Sequence, residues 1–161
     1  MTPSAGPFSG RLVEATVGSV PMAAAGVSLT DFGAVATFTN PANPTDAVYD
    51  AGFQFWAGNG VADRIVIDSL GDVYAAVTGQ NAQKIGSAST YDSSAGGSNT
   101  LALFVEGSHG LLGVNGELVA AVDLPGTPVA SDVQIGSGFF NEDFLVGRVT
   151  DYRDFAVWEI A

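Results

Sequence analysis

The sequence predicts an all-β fold, a sandwich or barrel of short antiparallel strands. Three observations carry this. Apolar residues alternate with period two in several runs, while helical periodicity is nearly absent. Turn chemistry punctuates those runs at short, regular intervals. The chain also has 21 glycines in 161 residues, an excess that many tight turns explain.

The runs follow in order. Asn40-Pro41 and Asn43-Pro44 end an early strand, because proline lacks an N–H and restricts the residue before it. Phe53 and Phe55 then alternate with Gln54 and Trp56. Gly58-Asn59-Gly60 separates that run from the next, where Ile65 and Ile67 alternate with Arg64, Val66 and Asp68. Beyond Leu70-Gly71, Val73, Ala75 and Val77 alternate with Asp72, Tyr74 and Ala76. The polar stretch Ser87–Ser98 reads as a mobile loop.

Leu101, Leu103 and Val105 open a second meander, with Gly107-Ser108-His109-Gly110 joining it to Leu111–Val114. Asn115-Gly116 then turns the chain into Glu117–Val122, and this pair is a strong hairpin signal because both residues tolerate positive φ. The final run, Thr150–Ile160, is apolar on both parities, so cover is expected on both faces. Ten to thirteen strands result, with one meander in the middle of each sheet. No linker divides the chain, which reads as a single domain over residues 1–161.

Composition narrows the function. The apolar content of 47% disfavours disorder. The net charge is −12, and the basic residues Arg11, Arg64, Lys84, Arg148 and Arg153 are scattered, so neither a nucleic acid nor an anionic membrane surface is an expected partner. Without cysteine there are no disulfides or thiolate sites, and with His109 alone there is no two-histidine metal site. No apolar run is long enough for a spanning helix, so membrane insertion is not expected. Val17–Leu29 is broken by Gly18, Pro21 and Gly26 and is not read as a signal peptide.

Several patterns together carry a family resemblance. They are Asp31-Phe32 to Pro41, Tyr49–Phe55, Asn99-Thr100-Leu101, Val114–Val119, Gly136-Ser137-Gly138-Phe139 and Thr150–Trp158. From about Phe8 to Ile160 the chain resembles the concanavalin A-like, laminin-G-like domains of bacterial exported proteins. It is especially similar to those appended outside the membrane to some bacterial Ser/Thr protein kinases. The resemblance implies a two-sheet antiparallel β-sandwich, a jelly roll, at an extracellular or cell-surface location. Members bind glycans or proteins, or serve as accessory or sensor domains, and some relatives are glycosidases. An Arg often follows the position of Phe55 in such domains, where this chain has Trp56.

Catalysis is not expected. Glycoside hydrolysis needs two carboxylates facing a groove at about 5–9.5 Å. The chain has no Glu-x-Asp-x-Glu run, and adjacent Glu142-Asp143 point to opposite faces in a strand. Asp151 and Asp154 are likewise split unless a bulge intervenes. His109, set between glycines at a hairpin, reads as a surface residue.

A ligand-binding face is the favoured reading. If the apolar parity of the first meander faces inward, Gln54, Trp56, Arg64, Asp68 and Tyr74 face outward from three strands. Two aromatics can stack on a pyranose while the polar groups take hydroxyls. The bland alternative is that Trp56 and Tyr74 only cover the sheet beneath a loop. Carbohydrate is therefore the first ligand expected and a protein partner, including a homo-oligomer, the second. An apolar patch at Val66 and Ala76 would favour the protein partner. Calcium is the one candidate cofactor, with Asp31, Asp46, Asp50, Asp63 and Asp154 available near strand ends.

Overall fold

A computed structural model describes residues 2–41, 48–140 and 146–161. Within them are twelve strands and no helix. The first sheet has the spatial order β1 (Ala5–Val13), β12 (Val149–Glu159), β3 (Phe32–Thr39), β8 (Ser98–Glu106), β9 (His109–Val114) and β10 (Glu117–Asp123). The second runs β2 (Met22–Ala24), β11 (Gln134–Ser137), β4 (Asp50–Gly58), β5 (Val61–Asp68), β6 (Asp72–Val77) and β7 (Gln83–Ser87). Neighbouring strands are antiparallel throughout. Each sheet keeps two open edges, so the molecule is a sandwich rather than a barrel.

The expected hairpins form for the expected reason. Asn115 and Gly116 both take positive φ, 52° and 84°, between β9 and β10. Asn59 and Gly60 do the same, at 54° and 77°, between β4 and β5. Such turns match the twist of the strands that they join.

Period-two alternation then packs the two inner faces together. Phe53 and Phe55 of β4, Ile65 and Ile67 of β5 and Val73 of β6 meet Phe32, Leu101, Leu103, Leu112, Phe155 and Val157 of the first sheet, all 2% exposed or less. Burying each such side chain stabilises the fold by roughly 1.5–3 kcal/mol. In the last strand Phe155 and Val157 face this core while Ala156, on the other parity, is also buried.

Two expectations change. The meander β8–β9–β10 runs out to one edge of its sheet, and β3 and β8 form its centre. The first and last strands need neighbours too, and the chain extends the sheet by laying β12 beside β3 and β1 beside β12. The stretch 87–98 is pinned by hydrogen bonds rather than free. Buried Asn40 donates from Nδ2 to the carbonyls of Asp92 (2.7 Å) and Ser94 (2.9 Å). Asn99 Nδ2 donates to the Asp92 carbonyl (2.8 Å), and the Tyr91 hydroxyl donates to Asn40 Oδ1 (3.3 Å). Burial first, then the neighbouring Tyr49, pushes the Tyr91 phenol far above its ordinary range, so it stays neutral.

Candidate functional site

The outer face of the second sheet carries the candidate site. Gln54 on β4 pairs in register with Arg64 on β5, and Arg64 with Ala76 on β6. One strand row away Val66 stands beside Tyr74. On the other side of β4, Gln134 of β11 lies opposite Gln54. The polar side chains form a chain of hydrogen bonds across these strands. Arg64 Nε donates to Gln54 Oε1 (2.8 Å), and Gln54 Nε2 donates to Gln134 Oε1 (3.1 Å).

The segment after β11 folds back over this face. Gly138, with φ of 69°, turns the chain, and the backbone N–H groups of Phe139 and Phe140 donate to the buried carboxylate of Asp50, at 2.9 and 3.1 Å. Gly136 makes room, because a Cβ there would lie 2.7 Å from Cζ of Phe139. The Phe139 ring therefore reaches the guanidinium of Arg64, whose Cζ is 4.9 Å from the ring centroid, within cation–π range. Phe140 meets Tyr74 edge-to-face at 5.3 Å.

Beyond these rings opens a groove of about 330 Å³, bounded by Arg64, Val66, Gln80, Asn81, Phe139 and Phe140 among others. Arg64 is its one charged lining residue among those described. Burial weakens the hold of Arg64 on its proton, and the negative charge of Asp50 opposes that shift. The Tyr74 hydroxyl is raised above its usual pKa by burial first, then by the charges of Asp68 and Asp72.

The structure thus brings Gln54, Arg64, Asp68 and Tyr74 onto one outer face. Asp68 does not face the groove, because its Oδ1 accepts the N–H groups of Leu70 (2.9 Å) and Asp72 (3.0 Å) and closes the β5–β6 turn. Trp56 requires correction, since it is 2% exposed and points into the core. A β-bulge between Phe55 and Gly58 breaks the alternation, and Trp56 takes a φ of 52°. Its indole N–H donates to the Thr30 carbonyl (2.9 Å), and its ring packs edge-on against Phe55. The aromatic walls come instead from Phe139 and Phe140. Gly136 and Gly138 were the only sequence sign that the chain turns back there.

The described acidic positions considered for calcium, Asp31, Asp50, Asp63 and Asp154, have backbone partners or lie apart. Asp31 accepts from Gly107 N–H and Asp63 from Gly126 N–H, both at 3.0 Å, while Asp50 holds Phe139 and Phe140. Asp154 sits in a bulge of β12 beside Arg153, at 3.7 Å. Asp46, Glu142 and Asp143 lie outside the described residues. Among the described residues, no group of three or more metal-ligating side chains comes together. No helix among them is long and apolar enough to cross a membrane. His109 is exposed, opens β9 and meets Asp123 at 2.7 Å.

Two larger depressions lie elsewhere on the described residues. One, of about 570 Å³ at an end of the sandwich, is lined by Arg11, Asn40, Arg148 and Asp151. Arg11 there stands 3.4 Å from Asp151. The other, of about 760 Å³, is an apolar groove on the outer face of the first sheet. Trp158, Gly33, Phe104 and Leu111 form one row across β12, β3, β8 and β9.

No family model matches the chain, and no curated protein matches it in sequence. Solved structures do match in shape. Carbohydrate-binding module CBM66 from Bacillus subtilis superposes with a TM-score of 0.62 at 11% identity, over 87% of this chain and 82% of that one. A fructosyltransferase from A. japonicus gives 0.69 at 11% identity, over 98% of this chain, which spans only 26% of the enzyme. Bacillus licheniformis β-glucanase gives 0.57 at 12%, over 87% and 71%. At such identities the likeness concerns the fold, and the chain has the concanavalin A-like jelly-roll fold.

Proposed function

We propose that this chain is a non-catalytic carbohydrate-binding module whose ligand lies in the groove over β4, β5 and β6. One observation carries the reading. An immobilised guanidinium, two loop amides and aromatic rings converge on one depression, with Arg64, Gln80, Asn81 and Phe140 at its edge. Sugars need such a mixture, rings against their C–H faces and directed polar groups for their hydroxyls. The shape likeness to a carbohydrate-binding module agrees with it.

The non-catalytic part of the proposal rests on the sequence, which has no Glu-x-Asp-x-Glu run to set paired carboxylates on one face for hydrolysis. An extracytoplasmic bacterial setting, as an appended domain, belongs to the same proposal. The test is a glycan-array screen of the folded protein, with and without Ca²⁺, beside Phe140→Ala. Specific binding weakened in Phe140→Ala supports the module. Absence of binding by folded protein in both conditions overturns it.

A second reading, protein–protein interaction, is favoured by the apolar groove of the first sheet, where Phe104 and Leu111 are 46% and 43% exposed. The Val66 position offers it no support, since Val66 is buried at the floor of the other groove. Sedimentation at rising concentration tests self-association through that face, with Phe104→Glu as the disrupting variant.

A further inference from the structure

We propose that the groove selects an acidic sugar, a uronate-type ring whose carboxylate is clamped by Arg64. This rests on the carbohydrate reading above and names the ligand class within it.

Three features of Arg64 lead there. Its orientation is fixed before any ligand arrives, by the Nε bond to Gln54 Oε1 and by the Phe139 ring against its face. Its two Nη nitrogens make no hydrogen bond and meet no carboxylate within ion-pair distance among the described residues. By contrast, Arg11, Lys84 and Arg153 each lie within 4 Å of an aspartate, at 3.4, 3.0 and 3.7 Å. A chain with a net charge of −12 has acidic groups to spare for a fourth such pair, yet the groove lining contains none among the described residues.

A guanidinium is a planar fork whose paired N–H groups match a carboxylate in two parallel hydrogen bonds. Arg64 uses Nε inward, towards Gln54, and leaves the Nη edge for a ligand. Ordering costs are already met by the Gln134–Gln54–Arg64 relay, so little rotamer freedom remains to be lost. Partial burial of Arg64 strengthens a direct charge pair relative to one in bulk water. The acidic surface of the whole protein repels an anion, but at physiological salt this field decays over about 8 Å. The short contact then decides selectivity. Gln80 and Asn81 supply donors and acceptors for ring hydroxyls, and Phe140 a surface for the C–H face.

The experiment is calorimetric titration in EDTA with trimers of galacturonate, glucuronate, guluronate and mannuronate, each beside its methyl ester. Wild type, Arg64→Gln and Arg64→Lys are compared, with near-UV circular dichroism confirming the fold of each. The expected result is binding of at least one trimer and a loss of about tenfold or more on esterification. A similar loss is expected in Arg64→Gln, with Arg64→Lys intermediate because it keeps the charge but not the fork. Should acid and ester bind alike and Arg64→Gln leave affinity unchanged, acid selection is overturned while sugar binding stands. Should neutral glycans bind on the array and none of the uronates do so, the same conclusion follows. Should no glycan of either kind bind folded protein, both readings fall.

Discussion

The guanidinium carbon of Arg64 lies 4.9 Å from the ring centroid of Phe139, although the two come from distant parts of the sequence. The contact forms because the chain after β11 doubles back across the sheet. Gly136 leaves space under the ring, and Asp50 holds the backbone N–H groups of Phe139 and Phe140. The groove therefore depends on residues that do not line it.

Gly136→Ala should disturb that arrangement. The new Cβ would lie 2.7 Å from Phe139 Cζ and 3.0 Å from the Pro21 carbonyl oxygen, so one of them must move. A loss of about 1–3 kcal/mol in urea unfolding is expected. Glycan affinity should fall as well, because Phe139 can no longer brace Arg64.

Asp50→Ala should loosen the returning segment. It removes a buried carboxylate that accepts two backbone N–H groups and leaves both donors without that partner. A cost of about 3 kcal/mol or more is expected. Amide exchange at Phe139 and Phe140 should accelerate more than at Leu101 or Val105 in the opposite sheet.

Trp56→Ala and Phe140→Ala should separate stability from binding. Trp56 is 2% exposed and hydrogen-bonded to Thr30, so its truncation should cost about 3–5 kcal/mol. Phe140→Ala should leave the melting temperature nearly unchanged and lower glycan affinity about fivefold, on the order of 1 kcal/mol. Thermal melts and calorimetry on the two variants check both halves.

Asp63 gives a pH signature. Burial raises its pKa in the folded state, while the Gly126 N–H bond opposes the rise. The folded protein therefore binds this proton more tightly than the unfolded chain does. The stability contribution of Asp63 falls as pH rises from the unfolded value, about 3.9, through the folded one. Asp63→Asn keeps an acceptor for Gly126 and cannot ionise. Its melting temperature relative to wild type should climb across that window and then level off. A difference that stays flat, or shrinks as pH rises, contradicts the assignment.

The fold was readable where local rules and tertiary structure agree. Asn115-Gly116 specified a turn by conformation alone, and Phe53, Phe55, Ile65 and Ile67 specified an inner face by parity. The site was less readable. Parity extrapolated one residue too far at Trp56, because a bulge is set by how β4 must bend against β5 and has no fixed sequence code. Asp68 obeyed parity, yet it caps its own turn, a local bond that competes with any ligand. Phe139 and Phe140 were invisible as groove walls because their placement depends on Asp50, far away in the chain.

The most direct measurement is an amide-resolved NMR titration of the folded protein with the glycan that binds best on the array. The shifts should cluster at Arg64, Gln80, Asn81, Phe139 and Phe140, and in Phe140→Ala they should need about fivefold more ligand to reach their midpoint. Shifts confined to Phe104, Leu111 and Trp158 on the opposite sheet would contradict the groove as the binding site.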